Sequence, residues 1–425
     1  LIVLPPNAFP AKEKIQKSSE QTTSQWGGHL KLRGSTSQYE GNSIFEPVGT
    51  EPYQDGSLEL RLRNQLFFPG NASFKTHYEA VFSAGDTRRK KRELGLLGIG
   101  LPQGAALLGP GQEINDYTRL FDLTWTAFDE KTYIAYHRLD RLVLALNPFW
   151  GRLKLGRQAV TWGNGLIFNP MDLFNPFAPT DIERDYKVGD DMAWAELPLS
   201  QAGFLEALLV PRRKPDTRKL SGSRSSAALK LHTAHGTTEF DLLLARHYGE
   251  WVTGIGSQGY LKDAAWRMDL VWNGVGQSSD YLSLVANIDY SWIWWGKNLY
   301  GLVEFYFNGQ GTCQYNEVFT EFEVQDKLAR GELFALGRNY LSASLQIEFH
   351  PLFSCFITLI NNLANPSGAV QPRAVWDIGQ NTSLTLGGNL AYGAPGTEYG
   401  GLAIPGTPYS LRPAQSVYLW WTWYF

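Results

Sequence analysis

The run that decides the fold is the last one, Gln415-Ser-Val-Tyr-Leu-Trp-Trp-Thr-Trp-Tyr-Phe425. Val417, Leu419, Trp421, Trp423 and Phe425 fall on one face of an extended chain. Ser416, Tyr418, Trp420, Thr422 and Tyr424 fall on the other, because successive side chains of a strand point to opposite sides. The same period of two recurs upstream. Leu58, Leu60 and Leu62 interleave with Glu59, Arg61 and Arg63, and Leu341, Ala343, Leu345, Ile347 and Phe349 with Ser342, Ser344, Gln346, Glu348 and His350. Shorter cases are Leu30/Leu32 against Lys31/Arg33, Leu229/Leu231 against Lys230/His232, and Val303/Phe305/Phe307 against Glu304/Tyr306/Asn308. The chain is therefore all-β, built from antiparallel strands with one apolar and one polar face.

A soluble sandwich and a lipid-facing wall share that period. The strand ends separate them. Trp292-Ile293-Trp294-Trp295, Phe149-Trp150, Phe67-Phe68 and Tyr424-Phe425 stand where strands end, and an aromatic ring with a polar edge is most favourably placed at headgroup depth in a bilayer. The terminal strand, closing on Phe425, resembles the last strand of bacterial outer-membrane barrels. The resemblance implies that Trp421, Trp423 and Phe425 form the signal read by the barrel-assembly machinery. The fold expected is a transmembrane antiparallel β-barrel in the bacterial outer membrane, in contact with its lipid and lipopolysaccharide.

The connections come in two lengths. Short ones include Pro69-Gly70-Asn71, Asn147 to Trp150, Trp295-Gly296-Lys297, His350 to Phe353 and Gly379-Gln380-Asn381. Long ones run from Gln38 to Ser57, Asp86 to Asp116, Asn164 to Asp190, Pro211 to Arg224, Gly309 to Arg338 and Gly393 to Ala414. Short periplasmic turns and long extracellular loops are the ordinary asymmetry of such barrels. Counting this way gives about 18–20 strands, with 20 preferred because a bacterial barrel closes on an even number. Counting back from a periplasmic C-terminus puts the 164–190 loop outside, and counting forward puts it inside, so one strand between Asp86 and His137 is missed or invented. Residues 1–25, rich in Pro, Lys, Ser and Gln, read as a flexible periplasmic tail, and 26–425 as the barrel. Leu1 to Pro10 lack a charged n-region and a cleavage site, which fits a processed chain.

Composition narrows the function. Of 425 residues, 43% are hydrophobic and 19% charged, with 38 Lys+Arg against 41 Asp+Glu and a net charge of −3. That balance argues against binding nucleic acid. No apolar run is long enough for a spanning helix, and Leu94 to Gln112, broken by Gly and Pro, reads as an apolar loop. Cys313 and Cys355 sit in no metal, redox or haem-attachment spacing, so the chain is expected to bind no metal or cofactor of its own. The 7 His form no HExxH, and neither GxSxG nor a phosphate-binding loop occurs. His232, His235 and His247 read as polar strand positions on a wet lumen, and no catalytic residue is assigned.

The richest segment is His137 to Tyr186. Arg152 and Lys154 alternate with Leu153 and Leu155, while Arg157 breaks parity beside Gly156. A bulge there is expected to turn Arg157 into the lumen. Asn169-Pro170 and Asn175-Pro176 exclude a central strand, since Pro lacks the ladder donor. The mixed-charge run Asp181, Glu183, Arg184, Asp185 and Lys187 follows. Folded into a barrel, this loop would put paired acids and bases at the narrowest point. The candidate lumen and constriction residues are Arg61, Arg63, Arg152, Lys154, Arg157, Asp172, Asp181, Arg184 and Asp185. A structured outer loop held by its own ion pairs is the competing reading.

The run GRQAVTWGNGLIFNPMDLFNPFAPTDIERDY resembles a pattern in large outer-membrane barrels of deltaproteobacteria, including the barrel subunits of porin-cytochrome conduits. About fifty residues match well. The resemblance implies an insulating sheath around a partner multihaem cytochrome, periplasmic or extracellular, with haem present only through that partner. The alternative is a solute-diffusion porin with a loop-constricted aqueous lumen. The polar face, including Glu59, Arg61, Arg63, Lys154, Lys230, Glu304, Gln346 and Glu348, carries both signs and predicts no selectivity.

Overall fold

A computed structural model describes residues 21–97, 114–174, 176, 178–179, 186–274, 279–312, 314–315, 318 and 321–425. The first half holds strands β1 (Thr23–Gln38), β2 (Tyr53–Phe68), β3 (Ala72–Gly85), β4 (Thr124–Asp129), β5 (Tyr133–Leu146), β6 (Arg152–Gln158), β7 (Asp190–Ser200), β8 (Gly203–Val210), β9 (Ser226–His235) and β10 (Thr238–His247). The second holds β11 (Glu250–Leu261), β12 (Ala264–Gly274), β13 (Tyr281–Trp294), β14 (Lys297–Asn308), β15 (Asn339–His350), β16 (Phe353–Asn362), β17 (Ser367–Gly379), β18 (Thr382–Gly393), β19 (Leu402–Ala403), β20 (Ser410–Leu411) and β21 (Gln415–Tyr424). Among the described residues two α-helices, α1 (Asp86–Leu96) and α2 (Phe322–Arg330), lie in long loops.

Neighbouring strands pair antiparallel around a ring, and β1 meets β21 from His29↔Tyr424 to Gln38↔Gln415, which closes the sheet. Nineteen strands hydrogen-bond into it. One of them, β4, stands outside the ring order. It shares an edge of β5 with β6, taking Ile134 to Arg138 while β6 takes Leu142 to Leu146, and β3 occupies the other edge. Removing β4 leaves 18 wall strands, at the lower end of the expected range. The parity conflict disappears with it. Because β3 and β5 are direct neighbours, 86–132 is one long connection, and the loop between β6 and β7 belongs to the long-loop end.

The barrel begins at Thr23, inside the stretch expected to be tail, and residues 1–20 lie outside the described set. The expected apolar loop starts as helix: α1 runs through Leu96 with Leu94 buried, and 98–113 are not described.

The outward face is apolar from strand to strand, with Leu32, Leu58, Leu155, Ile255, Ile288 and Leu419 exposed on it. At the short-turn end Trp26, Phe149, Trp294 and Trp295 are exposed, an aromatic girdle at the membrane edge. The Trp295-Gly296 turn has both residues at positive φ, 49° and 66°, as a two-residue hairpin turn requires. Among the described residues no helix is long and apolar enough to cross a membrane. Trp423 and Phe425 lie on the lipid face and Trp421 is half-buried there. Phe425 extends the ladder, accepting from the Gly28 N–H at 2.8 Å and donating to the Gly28 carbonyl at 3.1 Å.

Candidate constriction site

Residues 159–174 and 186–189 fold inward and line the bore. The outbound limb is held by two carboxylates on the far wall. Asp269 of β12 accepts from the Asn164 N–H and from Asn164 Nδ2, both at 2.6 Å. Glu304 of β14 accepts from the successive backbone N–H groups of Leu166 (2.7 Å), Ile167 (3.1 Å) and Phe168 (2.6 Å), and from Asn287 Nδ2 at 3.2 Å. Three amides converging on one buried anion form a concave backbone site turned onto a side chain. This resolves where the backbone donors of a loop without ladder partners go.

Packing reinforces the polar anchors. Trp162, Met171 and Phe174 share a core with inward residues of β7–β12, among them Trp194, Leu243, Ala245, Val252 and Val271. Burying such side chains contributes about 1.5–3 kcal/mol each. Phe168 stacks on Tyr306 with ring centres 4.6 Å apart. Space for this limb comes from β11, whose Gly254 and Gly256 face inward at alternate positions. A Cβ on Gly254 would come within 2.7 Å of the Met171 methyl, and one on Gly256 within 2.6 Å of the Asp269 carboxylate.

The returning limb is held on the opposite arc. Tyr186 stacks on His29 of β1, and the Arg61 guanidinium of β2 lies 4.3 Å from its ring centre. Arg141 donates to the Lys187 carbonyl at 2.6 Å, and the Gly189 N–H donates to Asp140 at 3.1 Å. A bulge in β5, seen as a register shift between His77 and Tyr78, puts Asp140 and Arg141 both on the inner side. Asp140 is there paired with Arg61 and Arg141, and Glu79 with Arg138 at 2.7 Å. Lys187 reaches back to Asp172, tying the two limbs together. Burial pushes the Asp172 carboxyl up to about 6, against the opposing pull of Lys187.

Of the residues expected at the constriction, Arg61 stands at the returning limb, buried, and Arg63 follows one inward position toward the turn end, half-buried. Lys154 lies over Trp194, 5.0 Å from the ring centre. Arg152 pairs with Glu196 near the turn end, its Nε donating at 2.9 Å. Asp172 is inside the loop core. Asp181, Arg184 and Asp185 lie outside the described residues.

Arg157 is a correction. Gly156 does adopt a positive φ of 115°, but Arg157 pairs with Asp191, at opposite parity to Lys154 and its partner Trp194. It is therefore held on the face of the wall turned away from the bore. There it binds Asp191 at 2.9 Å, Asp116 at 3.0 Å and the Phe121 carbonyl at 2.7 Å, covered by segment 114–123.

The lumen charges are also segregated, against the expectation of no dominant sign. The arc of β1–β6 turns Lys31, Arg33, Arg61, Arg63, Lys75, Arg138, Arg141, Arg152 and Lys154 inward against Asp55, Glu59, Glu79 and Asp140. The arc of β10–β14 turns Asp241, Asp269, Asp289 and Glu304 inward against Arg267. Sequence reading passed over Asp269, and took Glu304 only as a lumen residue. Their signal was present in the glycines of Gly254-Ile-Gly256 and the doubly apolar run Leu242 to Ala245, an inner face that needs something to cover it.

A closed 18-strand antiparallel barrel with an apolar belt, a polar bore and a long loop turned inward has the fold of outer-membrane porins, and the chain is an integral outer-membrane barrel with that fold. Among solved structures it is similar to OccAB1 of Acinetobacter baumannii, with a TM-score of 0.52 and 9% identity over 98% of this chain and 99% of that one. OpdK of Pseudomonas aeruginosa, solved with vanillate, gives 0.52 and 9% identity over 94% and 98%. A BenF-like porin of Pseudomonas fluorescens Pf-5 gives 0.51 and 10% identity over 95% and 98%. No protein-family model and no curated protein matches the sequence. The likeness to porin-cytochrome barrels finds no support in these neighbours.

Proposed function

We propose that the chain is a solute-diffusion porin whose aqueous bore is narrowed by the two limbs 159–174 and 186–189 and biased toward small anions by the β1–β6 arc. The observation that carries this reading is the loop's double anchorage, on Asp269 and Glu304 at one side and on Arg61, Asp140 and Arg141 at the other. A bore crossed by its own chain leaves little room for a cytochrome, which weighs against a sheath. Among the fold neighbours, one is named a BenF-like porin and another was solved with the aromatic acid vanillate, which favours the same reading. Cations concentrated on one wall attract anions into a low-dielectric constriction, whereas evenly mixed charges would not.

Planar-bilayer recording of the purified barrel tests it. Discrete conductance steps with a reversal potential on the anion-selective side under a KCl gradient are expected. A barrel that passes no current, or that co-purifies with stoichiometric haem protein, overturns the proposal.

A further inference from the structure

The wall is lowest at β6 and β8, which have 7 and 8 residues. A strand needs about 9–11 residues to cross an outer membrane. By contrast β1, β2 and β3 have 16, 16 and 14. At the low point the missing height is made up from outside the ring order. β4 continues the free edge of β5 above β6, and segment 114–123 is clamped to the bore-averted face of the wall by Arg157, Asp191 and Asp116. The Phe121 N–H donates to Asp191 at 2.8 Å. This collar therefore sits at the long-loop end, at outer-leaflet depth, and exposes Tyr117, Phe121, Trp125 and Phe128.

A basic loop stands directly on it. Arg213 donates its N–H to the Thr118 carbonyl at 2.8 Å, and Arg213 and Arg218 share the single carboxylate of Asp122, at 2.7 and 3.0 Å. The Arg218 guanidinium lies 3.8 Å from the Tyr117 ring centre. Lys214 and Lys219 are brought side by side by the Lys214 N–H to Lys219 carbonyl bond, and both are exposed with no carboxylate partner among the described residues. Asp216 is the only acid between Pro211 and Arg224. The result is a cationic ledge above an aromatic patch, at the depth where outer-leaflet phosphates lie above acyl chains.

We propose that this collar binds lipopolysaccharide, with the sugar phosphates of its lipid A on Lys214, Arg218 and Lys219 and an acyl chain against Tyr117 and Phe121. Guanidinium and ammonium groups bind phosphate strongly when its charge is not matched by local carboxylates. The excess positive charge disfavours the other occupant, a second copy of the same face, since like charges would meet.

The test is independent of the porin reading. Wild type and K214E/R218E/K219E are purified in mild detergent from an outer membrane, and bound lipid A is counted by mass spectrometry. Wild type is expected to retain it and the variant at least fivefold less, with conductance unchanged. Delipidated wild type should rebind bis-phosphorylated lipid A but not its dephosphorylated form, and millimolar inorganic phosphate should not displace it. Equal retention by both proteins overturns the proposal. So does displacement by inorganic phosphate, which marks a free-anion site, or a changed oligomer size at constant lipid, which marks a copy-to-copy interface. If the triple variant does not assemble, K214A/K219A, which breaks no ion pair among the described residues, gives the same readout.

Discussion

The two limbs of the inner loop are fastened by opposite devices. Outbound, backbone N–H groups of Asn164 and Leu166 to Phe168 point at carboxylates supplied by the wall. On return, the wall supplies cations and the loop supplies a ring, a carbonyl and an amide to the Arg61, Arg141 and Asp140 group. The first device fixes shape, because three consecutive amides reach one anion in only one backbone conformation. The second leaves charge on display, because its cations outnumber the acids they pair with. On the proposed reading, position and selectivity fall to different walls, and variants on one should leave the other in place.

The largest effect is expected from Glu304→Ala. Each hydrogen bond to a charged group is worth about 1.5–3 kcal/mol, and three buried backbone donors would lose their acceptor. Single-channel conductance should at least double and become noisy while ion selectivity changes little. An unchanged step size would mean that the limb is held by packing alone. Arg157→Ala should behave in the opposite way. Its removal leaves Asp116 and Asp191 buried without their shared partner, a loss of about 3–5 kcal/mol, visible as a lowered unfolding temperature. Conductance and reversal potential should stay as in wild type, and a shift in either would return Arg157 to the passage.

Arg61→Ala sharpens the comparison from the other wall. Asp140 keeps Arg141, and Glu79 keeps Arg138, so the barrel should assemble, with conductance within about twofold of wild type. The reversal potential should move toward cation preference, since a buried positive charge at the returning limb is gone and its two acids remain. A movement toward anions, or none, would separate the cationic arc from selectivity.

Much of this was legible in the residues and some was not. The period of two gave lipid and lumen faces along most strands, and Trp294, Trp295 and Phe149 marked the membrane edge, because both signals are local. The strand number was not local. Thr124 to Asp129 is a good strand by composition, and only its pairing, on an edge already half used by β6, keeps it out of the wall. Arg157 misled for a related reason: its break in parity was visible, but the segment that makes a buried site for it on the averted face lies some forty positions away. The anchor Glu304 looked like any polar lumen residue, since what distinguishes it is a loop 136–138 positions upstream in sequence.

The smallest expected effect belongs to the tie between the limbs. With its carboxyl pushed up to about 6 by burial, Asp172 is charged and matched to Lys187 at neutral pH, and takes up a proton as the pH falls through 6. The folded value lies above the ordinary 3.8, so the proton is held more tightly in the folded barrel. This group's contribution to stability is complete below about pH 4 and is lost as the pH rises through 6. For ions the sign runs the other way: below pH 6 the carboxylate is neutral and the bore loses one negative charge. Anion selectivity measured by reversal potential should therefore rise modestly between pH 7 and pH 5. Asp172→Asn should lose that step. A variant with the full wild-type pH profile would show that the charge of Asp172 does not reach the permeating ion.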